Sequence, residues 1–264
     1  MFELLYEPLI ISDNLKSWEI AINPWDTETF GFGVSVLKPL FDSLSGDETA
    51  SFEKALKVYS DRKRTRIIIT SIPAEQIEIS FFLQRAGFRF IDLSYKIRYE
   101  TLKYLSIETP ANLSLEQALP EELDTLIEMA GRLFQHGRYH QDCFIPKSLA
   151  DQRYKDWLRR SLKPDNPQQL LTVKFQNSVC GFSIVEYHGT EGYLHLHAID
   201  SKWRGKKLGI GMIVESLRYL HNAGAENVET KISASNLNAL NMHSHLNGHF
   251  IDVSRILHWH QPVD

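Results

Sequence analysis

The stretch Tyr193-Leu194-His195-Leu196-His197-Ala198-Ile199 runs directly into Asp200-Ser201-Lys202-Trp203-Arg204-Gly205-Lys206-Lys207-Leu208-Gly209-Ile210-Gly211. The first part reads as a strand, and the second as a loop rich in glycine and lysine that opens a helix over about Gly209 to Ala223, stopped by Ala223-Gly224. A strand that feeds a glycine loop and then a helix is an anion site. Amides at the helix start have no intrahelical acceptor, and the helix end carries partial positive charge. Arg204, Lys206 and Lys207 add full charges. The loop has no GxxxxGK[ST] and no GxGxxG followed by an acid about 20 residues on. A nucleotide-hydrolysing loop and a dinucleotide fold are therefore disfavoured.

Outward from the loop, the chain repeats. Phe90-Ile91-Asp92-Leu93-Ser94 returns as Phe250-Ile251-Asp252-Val253-Ser254. Before each copy lies a short helical pattern (74–86 and 236–246), and before that a β-prone run, Ile67 to Thr70 and Val228 to Ile232. After each comes an alternating strand, Ser94 to Tyr99 and Ser254 to Trp259. Two copies of one α/β half-fold are expected, 1–108 and 113–264, joined where Glu108-Thr109-Pro110-Ala111-Asn112 breaks regular structure. In the second copy, helices are expected from Leu119-Pro120-Glu121-Glu122 and over about Leu149 to Leu162. Strands follow at Leu170 to Phe175, Val179 to Tyr187 and Tyr193 to Ile199. The first copy has nothing like RxxGxG around Ser43 to Ala50, and Leu83 stands where the second has His243, so the first copy is expected to be non-catalytic.

Composition narrows the classes. Hydrophobic residues make up 43% and charged residues 23% of 264, an ordinary globular balance. A net charge of −4 offers no field for nonspecific nucleic-acid binding. The two cysteines, Cys143 and Cys180, form neither a disulfide framework nor a CxxC, and no HExxH occurs, so no metal is expected. No secretory leader pattern or bilayer-length apolar run is read, so the expected setting is cytoplasmic, with no membrane partner.

Arg204-Gly205-Lys206-Lys207-Leu208-Gly209, with Asn236-x-x-Ala239 and the element order, resembles the GNAT superfamily of N-acetyltransferases. Lys207 stands in place of the first glycine of that family's loop. The resemblance implies a mixed, mostly antiparallel sheet flanked by helices, an α/β (α+β) fold with a degenerate N-terminal half. It implies acetyl-CoA as cofactor, held by Ala198, Ile199, Arg204, Gly205, Lys206, Lys207, Leu208, Gly209, Ile210, Gly211 and Asn236. Trp25-Asp26-Thr27-Glu28-Thr29-Phe30-Gly31 and Arg138-Tyr139-His140-Gln141-Asp142 are similar to motifs of the TDP-fucosamine (dTDP-4-amino-4,6-dideoxygalactose) N-acetyltransferases. Trp25, Asp26, Arg138 and Tyr139 are accordingly expected to contact substrate, Arg suiting a diphosphate and an aromatic ring suiting a base.

Acetyl transfer to an amine needs a neutral amine, donors for the carbonyl oxygen and reactants held together. His243 falls where the family places a tyrosine acid. His195 and His197 on the third strand and Glu186 on its neighbour are the candidate bases. Expected catalytic residues are thus His243, Glu186 and His197. The expected acceptor is a small-molecule primary amine, such as a nucleotide-linked amino sugar. The alternatives are another amine (amino acid, polyamine, protein N-terminus) or a CoA-binding protein without activity. A homodimer is compatible with the reading.

Overall fold

In the computed structural model, which describes residues 4–9, 18–41 and 49–262, the alternating runs and helical stripes appear in the expected order. The chain forms β1 (Glu7–Leu9), β2 (Trp18–Ile22), α1 (Pro24–Phe30), β3 (Gly33–Pro39), α2 (Thr49–Lys63), β4 (Thr65–Pro73), α3 (Ile77–Arg85) and β5 (Arg89–Glu100). It continues with β6 (Leu113–Gln117), α4 (Leu123–Leu133), α5 (Arg138–Gln141), α6 (Lys147–Ser161), β7 (Gln169–Phe175), β8 (Ser178–His188) and β9 (Glu191–Ile199). Last come α7 (Leu208–Asn222), β10 (Asn227–Ser233), α8 (Leu237–His245) and β11 (His249–His260). The repeat is structural: α3 and α8, and β5 and β11, begin and end 160 residues apart. β6 and the short α5 lie in stretches where no element was expected. No helix among the described residues is long and apolar enough to cross a membrane.

Two compact units result, and their limits differ from the expected division at 108 and 113. One comprises 2–94, 141–143 and 253–264; the other, apart from Met1, comprises 95–140 and 144–252. The second half of β5 therefore belongs with the C-terminal unit, and the second half of β11 with the N-terminal unit. A strand of twelve residues is long enough to serve two packing environments, which a boundary drawn along the chain does not anticipate.

In the N-terminal unit, β1, β2 and β3 are antiparallel, β3 and β4 run parallel, and Ser254–His260 of β11 pairs antiparallel with β4. Trp18, Phe52, Leu56, Ile68, Phe82 and Leu83 fill its core. The α1 ends are fixed locally. Asn23 caps the Asp26 amide, Pro24 takes the first helical position, and Gly31, at φ 72°, adopts the left-handed conformation that closes the helix.

In the C-terminal unit, β6 to β9 form an antiparallel run, and β10 then joins β9 in parallel. One face of this sheet is covered by α7 and α8 over Val173, Leu194, Ile213, Leu217 and Val228. The other is covered by α4 and α6 over Leu126, Leu158, Phe182 and Ile184. With both faces buried, β8 reads as a continuous apolar run rather than an alternation.

Candidate active site

The site begins where a parallel pair stops pairing. β9 and β10 are in register only at Glu191↔Asn227, Gly192↔Val228 and Tyr193↔Glu229. At the vertex, Thr230 Oγ1 donates to the Leu194 carbonyl at 2.8 Å, and beyond it the strands part. The cavity so opened has a volume of about 380 Å³. Its walls come from β9, the end of β10, the turn after α4, and the starts of α7 and α8.

The β8–β9 register shows which main-chain groups face this opening. Asp200 N–H donates to Cys180 C=O at 2.8 Å, in phase with the pairs Phe182↔Ala198 and Ile184↔Leu196. Alternation in an antiparallel ladder then turns the N–H and C=O of Ala198 and Leu196 toward β8, and those of His197 and Ile199 toward the cleft. The register shifts between Ile184 and Val185, which puts His195 in a bulge, the irregularity that re-aims side chains beside sites. Ile199 thus has the edge amide expected of it. Ala198 lines the cavity, with its main-chain groups directed to β8 by strand phase.

At the far end, the loop 200–207 delivers α7. Asp200, 3% exposed, caps Lys202 N–H and accepts hydrogen bonds from Arg132 Nη2 at 2.7 Å and Nη1 at 3.3 Å, so α4 pins the loop. Burial alone would raise the Asp200 carboxyl pKa, but the bonds from Arg132 and the Lys202 amide outweigh it and hold it below its usual value. Gly205 lies at φ 81° and Lys207 at φ 56°, both left-handed. Lys207 occupies the helix cap without a side-chain capping bond, so the lysine adopts the conformation a glycine would take there more readily. The first intrahelical bond is Gly211 N–H to Lys207 C=O, 3.1 Å. The amides of Leu208, Gly209 and Ile210 precede it and have no acceptor among the described residues.

The remaining expected cofactor contacts divide. Arg204, Gly209 and Asn236 line the cavity, and Asn236 also caps α8 through the Ala239 amide at 3.1 Å. Gly205, Lys207, Leu208 and Ile210 do not line it; Leu208 is core, and only main-chain groups could serve there. Lys206 is turned away, its Nζ 4.8 Å from the Trp203 ring centroid and 5.3 Å from that of Phe175, where the rings hold the cation. Gly211 has committed its amide to Lys207, and a Cβ there would stand 2.5 Å from Leu113 Cδ2 and 2.8 Å from Pro110 Cδ. Its role is close packing.

The proton-moving candidates also divide. His195 and His197 line the cavity; Glu186 and His243 do not. Glu186, 1% exposed, receives His195 Nε2 at 2.7 Å, His188 Nε2 at 2.6 Å and Gln168 Nε2 at 3.4 Å. The His195 bond, with His188 adding to it, overcomes burial and draws the Glu186 carboxyl pKa down to about 2, so it stays ionised at neutral pH. His197 keeps some surface open to the cleft, but its Nδ1 is sealed without a partner among the described residues. Its depth decides the charge: burial lowers its pKa to about 4. His243 is fully buried; its Nδ1 is hydrogen-bonded to the Tyr99 hydroxyl and its Nε2 has no partner among the described residues. Burial, then the neighbouring His197, lowers its pKa to about 3. Its ring lies edge-on to that of His197, centroids 5.4 Å apart.

Trp25 and Asp26 belong to the N-terminal unit and Arg138 and Tyr139 to the other. Asp26 is buried and accepts from Asn23 Nδ2 at 2.8 Å. Tyr139, 2% exposed, has the Arg138 and Arg153 guanidinium groups each 5.0 Å from its ring centroid, so it is not open to stack on a base. Sequence reasoning missed Lys231 and the Phe134–Gly137 turn, both on the cavity wall. A lysine beside Ile232 in a half-buried strand was a signal for the first; the second carries none.

Residues 134–248 match the Acetyltransferase (GNAT) family. The chain thus has the GNAT fold, and the match to the acetyltransferase family lies in its C-terminal half. The chain is 20% identical over 223 residues to the spore coat polysaccharide biosynthesis protein SpsD of Bacillus subtilis (strain 168), covering 84% of this chain and 76% of that protein. Among solved structures, it is similar to a GCN5-related N-acetyltransferase from Sphaerobacter thermophilus, with TM-score 0.65, 12% identity, and 93% and 77% of the two chains covered. It is also similar to a tandem GNAT protein from the clavulanic acid biosynthesis pathway, with TM-score 0.59, 13% identity, and 95% and 80% covered. GNAT enzymes use acetyl-CoA as acetyl donor, and the cleft wall carries Arg204 and Gly209, whose amide is one of three at the start of α7 with no acceptor among the described residues, a setting suited to a diphosphate.

Proposed function

We propose that the protein transfers acetyl from acetyl-CoA to the primary amine of a small molecule, with a nucleotide-linked amino sugar as acceptor. The observation that carries this reading is that Gly209, at the unpaired start of α7, Arg204 and the His195 imidazole line one cavity. Acetyl-CoA bound there supplies a thioester acetyl group, on a thiol acidic enough to leave without a dedicated donor.

The chain's own groups have separate tasks. The amides of Leu208, Gly209 and Ile210, with Arg204, hold the diphosphate. The edge amide of His197 meets the carbonyl oxygen as negative charge builds, and that of Ile199 holds the arm behind it. His195 takes the amine proton, its imidazole oriented by Glu186, which is a positioning residue. The neutral His197 side chain lines the reacting end, and His243 lies behind it, away from the acceptor.

The sugar acceptor is favoured by the motifs similar to the TDP-fucosamine group and by the polysaccharide biosynthesis named for the Bacillus relative. Lys231 forms no ion pair among the described residues and puts a cation on the cavity wall, suited to an anionic acceptor. The test is thiol release from acetyl-CoA with a panel of nucleotide-linked amino sugars, free amino sugars, amino acids, polyamines and peptides. Turnover of a nucleotide-linked amino sugar at least about 100-fold above the rest, a preference of about 3 kcal/mol, is expected. Preference for another amine would overturn the acceptor assignment. CoA binding with no acceptor turned over would overturn the enzymatic one.

A further inference from the structure

Within the N-terminal unit, Asp142, His258 and His260 converge. His258 and His260 are two residues apart on β11 and so share a face of the strand. Asp142 follows directly on α5. His258 Nδ1 lies 2.7 Å and His260 Nε2 2.8 Å from the same oxygen, Asp142 Oδ2. One candidate ligand atom from each of the three side chains lies within 4.8 Å of the others. The site is dry on one side and accessible on the other: side-chain exposure is 0% for His258, 1% for Asp142 and 18% for His260.

We propose that this trio binds one divalent transition-metal ion of the zinc type. Two imidazoles and a carboxylate meet the borderline preference of Zn²⁺ for nitrogen with oxygen, and three protein ligands leave a fourth position for water on the His260 side. Tetrahedral bonds of about 2.0–2.1 Å would set the ligand atoms about 3.3 Å apart. The carboxylate then retreats by roughly half an ångström from its present contacts, a shift that a small side-chain rotation provides. One imidazole presents Nδ1 and the other Nε2, the mixed choice that lets neighbours on one strand face reach a single point. Hydrogen bonding alone accounts for the contacts with Asp142; the metal reading adds that the same three atoms form a ligand set. The ligands lie 116 and 118 residues apart in sequence, so an ion here ties the terminal strand to the turn after α5. The reading departs from the expectation of no metal because two distant segments meet only on folding.

The test uses the full chain, stripped with chelator and passed through gel filtration after incubation with Zn²⁺. About one equivalent is expected to be retained. Co²⁺ in its place should give the visible absorption of a four-coordinate site with nitrogen ligands, and thermal stability should rise with metal and fall with chelator. His260→Gln keeps an amide donor for Asp142 and lies at the accessible edge. It should reduce Zn²⁺ affinity at least about 30-fold while leaving acetyl transfer unchanged. Asp142→Asn should abolish the cobalt spectrum. If wild type retains no zinc, or if His260→Gln retains as much as wild type, the proposal is overturned. The wild-type retention and cobalt spectrum decide the matter even if a variant fails to fold.

Discussion

β3 and β9 are the corresponding strands of the repeated half-fold, and they part from their parallel partners differently. β3 pairs with β4 as far as Leu37↔Thr70 and ends two residues later, at Pro39. β9 parts from β10 after Tyr193↔Glu229 and continues for six more residues, Leu194–Ile199. Thr70 and Thr230 are equivalent by the 160-residue offset; Thr230 caps the vertex at Leu194, whereas Thr70 lies within a paired ladder. The helix position that holds His243 in one copy holds the equally buried Leu83 in the other. A strand that outlasts its partner leaves edge amides for a ligand. Beyond its last pair β3 has only Lys38 and Pro39, and the proline has no amide proton to offer.

Substitutions in both copies sharpen or break that contrast. The largest effect is expected from Gly209→Asp, which sets a carboxylate among the free α7 amides. It should lower kcat/KM for acetyl-CoA about 1,000-fold, near 4 kcal/mol. Its Cβ would meet Met242 Sδ at 2.7 Å, a flexible neighbour, so a thermal melt should show the fold intact. Lys38→Asp, on the short tail of β3, should leave the rate within about twofold; an equal loss there would erase the distinction between the copies.

Next is His195→Ala, expected to cost about 100-fold or more in kcat, with Glu186→Gln costing about tenfold and leaving KM for acetyl-CoA unchanged. Glu186 also links the site to acid stability. Its folded pKa of about 2 lies below its usual value, so its contribution is present above about pH 4.3 and is lost as pH falls toward 2, about 3 kcal/mol in all. Acid titration of unfolding should lose that segment in Glu186→Gln.

His243→Leu converts the second copy to the first at that position. It strands the Tyr99 hydroxyl and should cost about 1–3 kcal/mol, most of it recovered in the double variant with Tyr99→Phe. The histidine is held neutral with its pKa near 3, whereas the unfolded chain takes up a proton below about 6.5. Wild type therefore loses stability as pH falls from 6.5 toward 3, and the double variant should lose less. Its acetyl-transfer rate should change less than about threefold; a 100-fold loss would place His243 in the proton path. The smallest effect is Lys207→Gly, which relieves the left-handed cap. It should shift stability by about 1 kcal/mol or less, relief of strain being offset by glycine's greater freedom when unfolded.

The fold was legible because its signals are local. The strand into loop into helix at 193–211, the recurrence of Phe-Ile-Asp-x-Ser and the two strand–helix–strand runs all survive in the structure. Strand phase was not legible, since Ala198 and Ile199 look alike until Asp200 fixes which one turns its amide outward. Nor was the direction of side chains on a loop: Lys206 reads as a phosphate ligand and instead lies over Trp203 and Phe175. Glu186 and His195 sit nine residues apart on neighbouring strands, and only the register makes one the anchor of the other. The absence of a phosphate loop in the first copy was read over Ser43 to Ala50, most of which lies outside the described residues.

The most direct test of the central claim is amide chemical-shift mapping of the full chain during titration with CoA. The cleft formed where β9 outruns β10 predicts saturable shifts at Leu208, Gly209 and Ile210, with His197 and Ile199 following, and none along β3 or β4. Saturable shifts confined to the N-terminal unit, or none at the start of α7 under millimolar CoA, would contradict it.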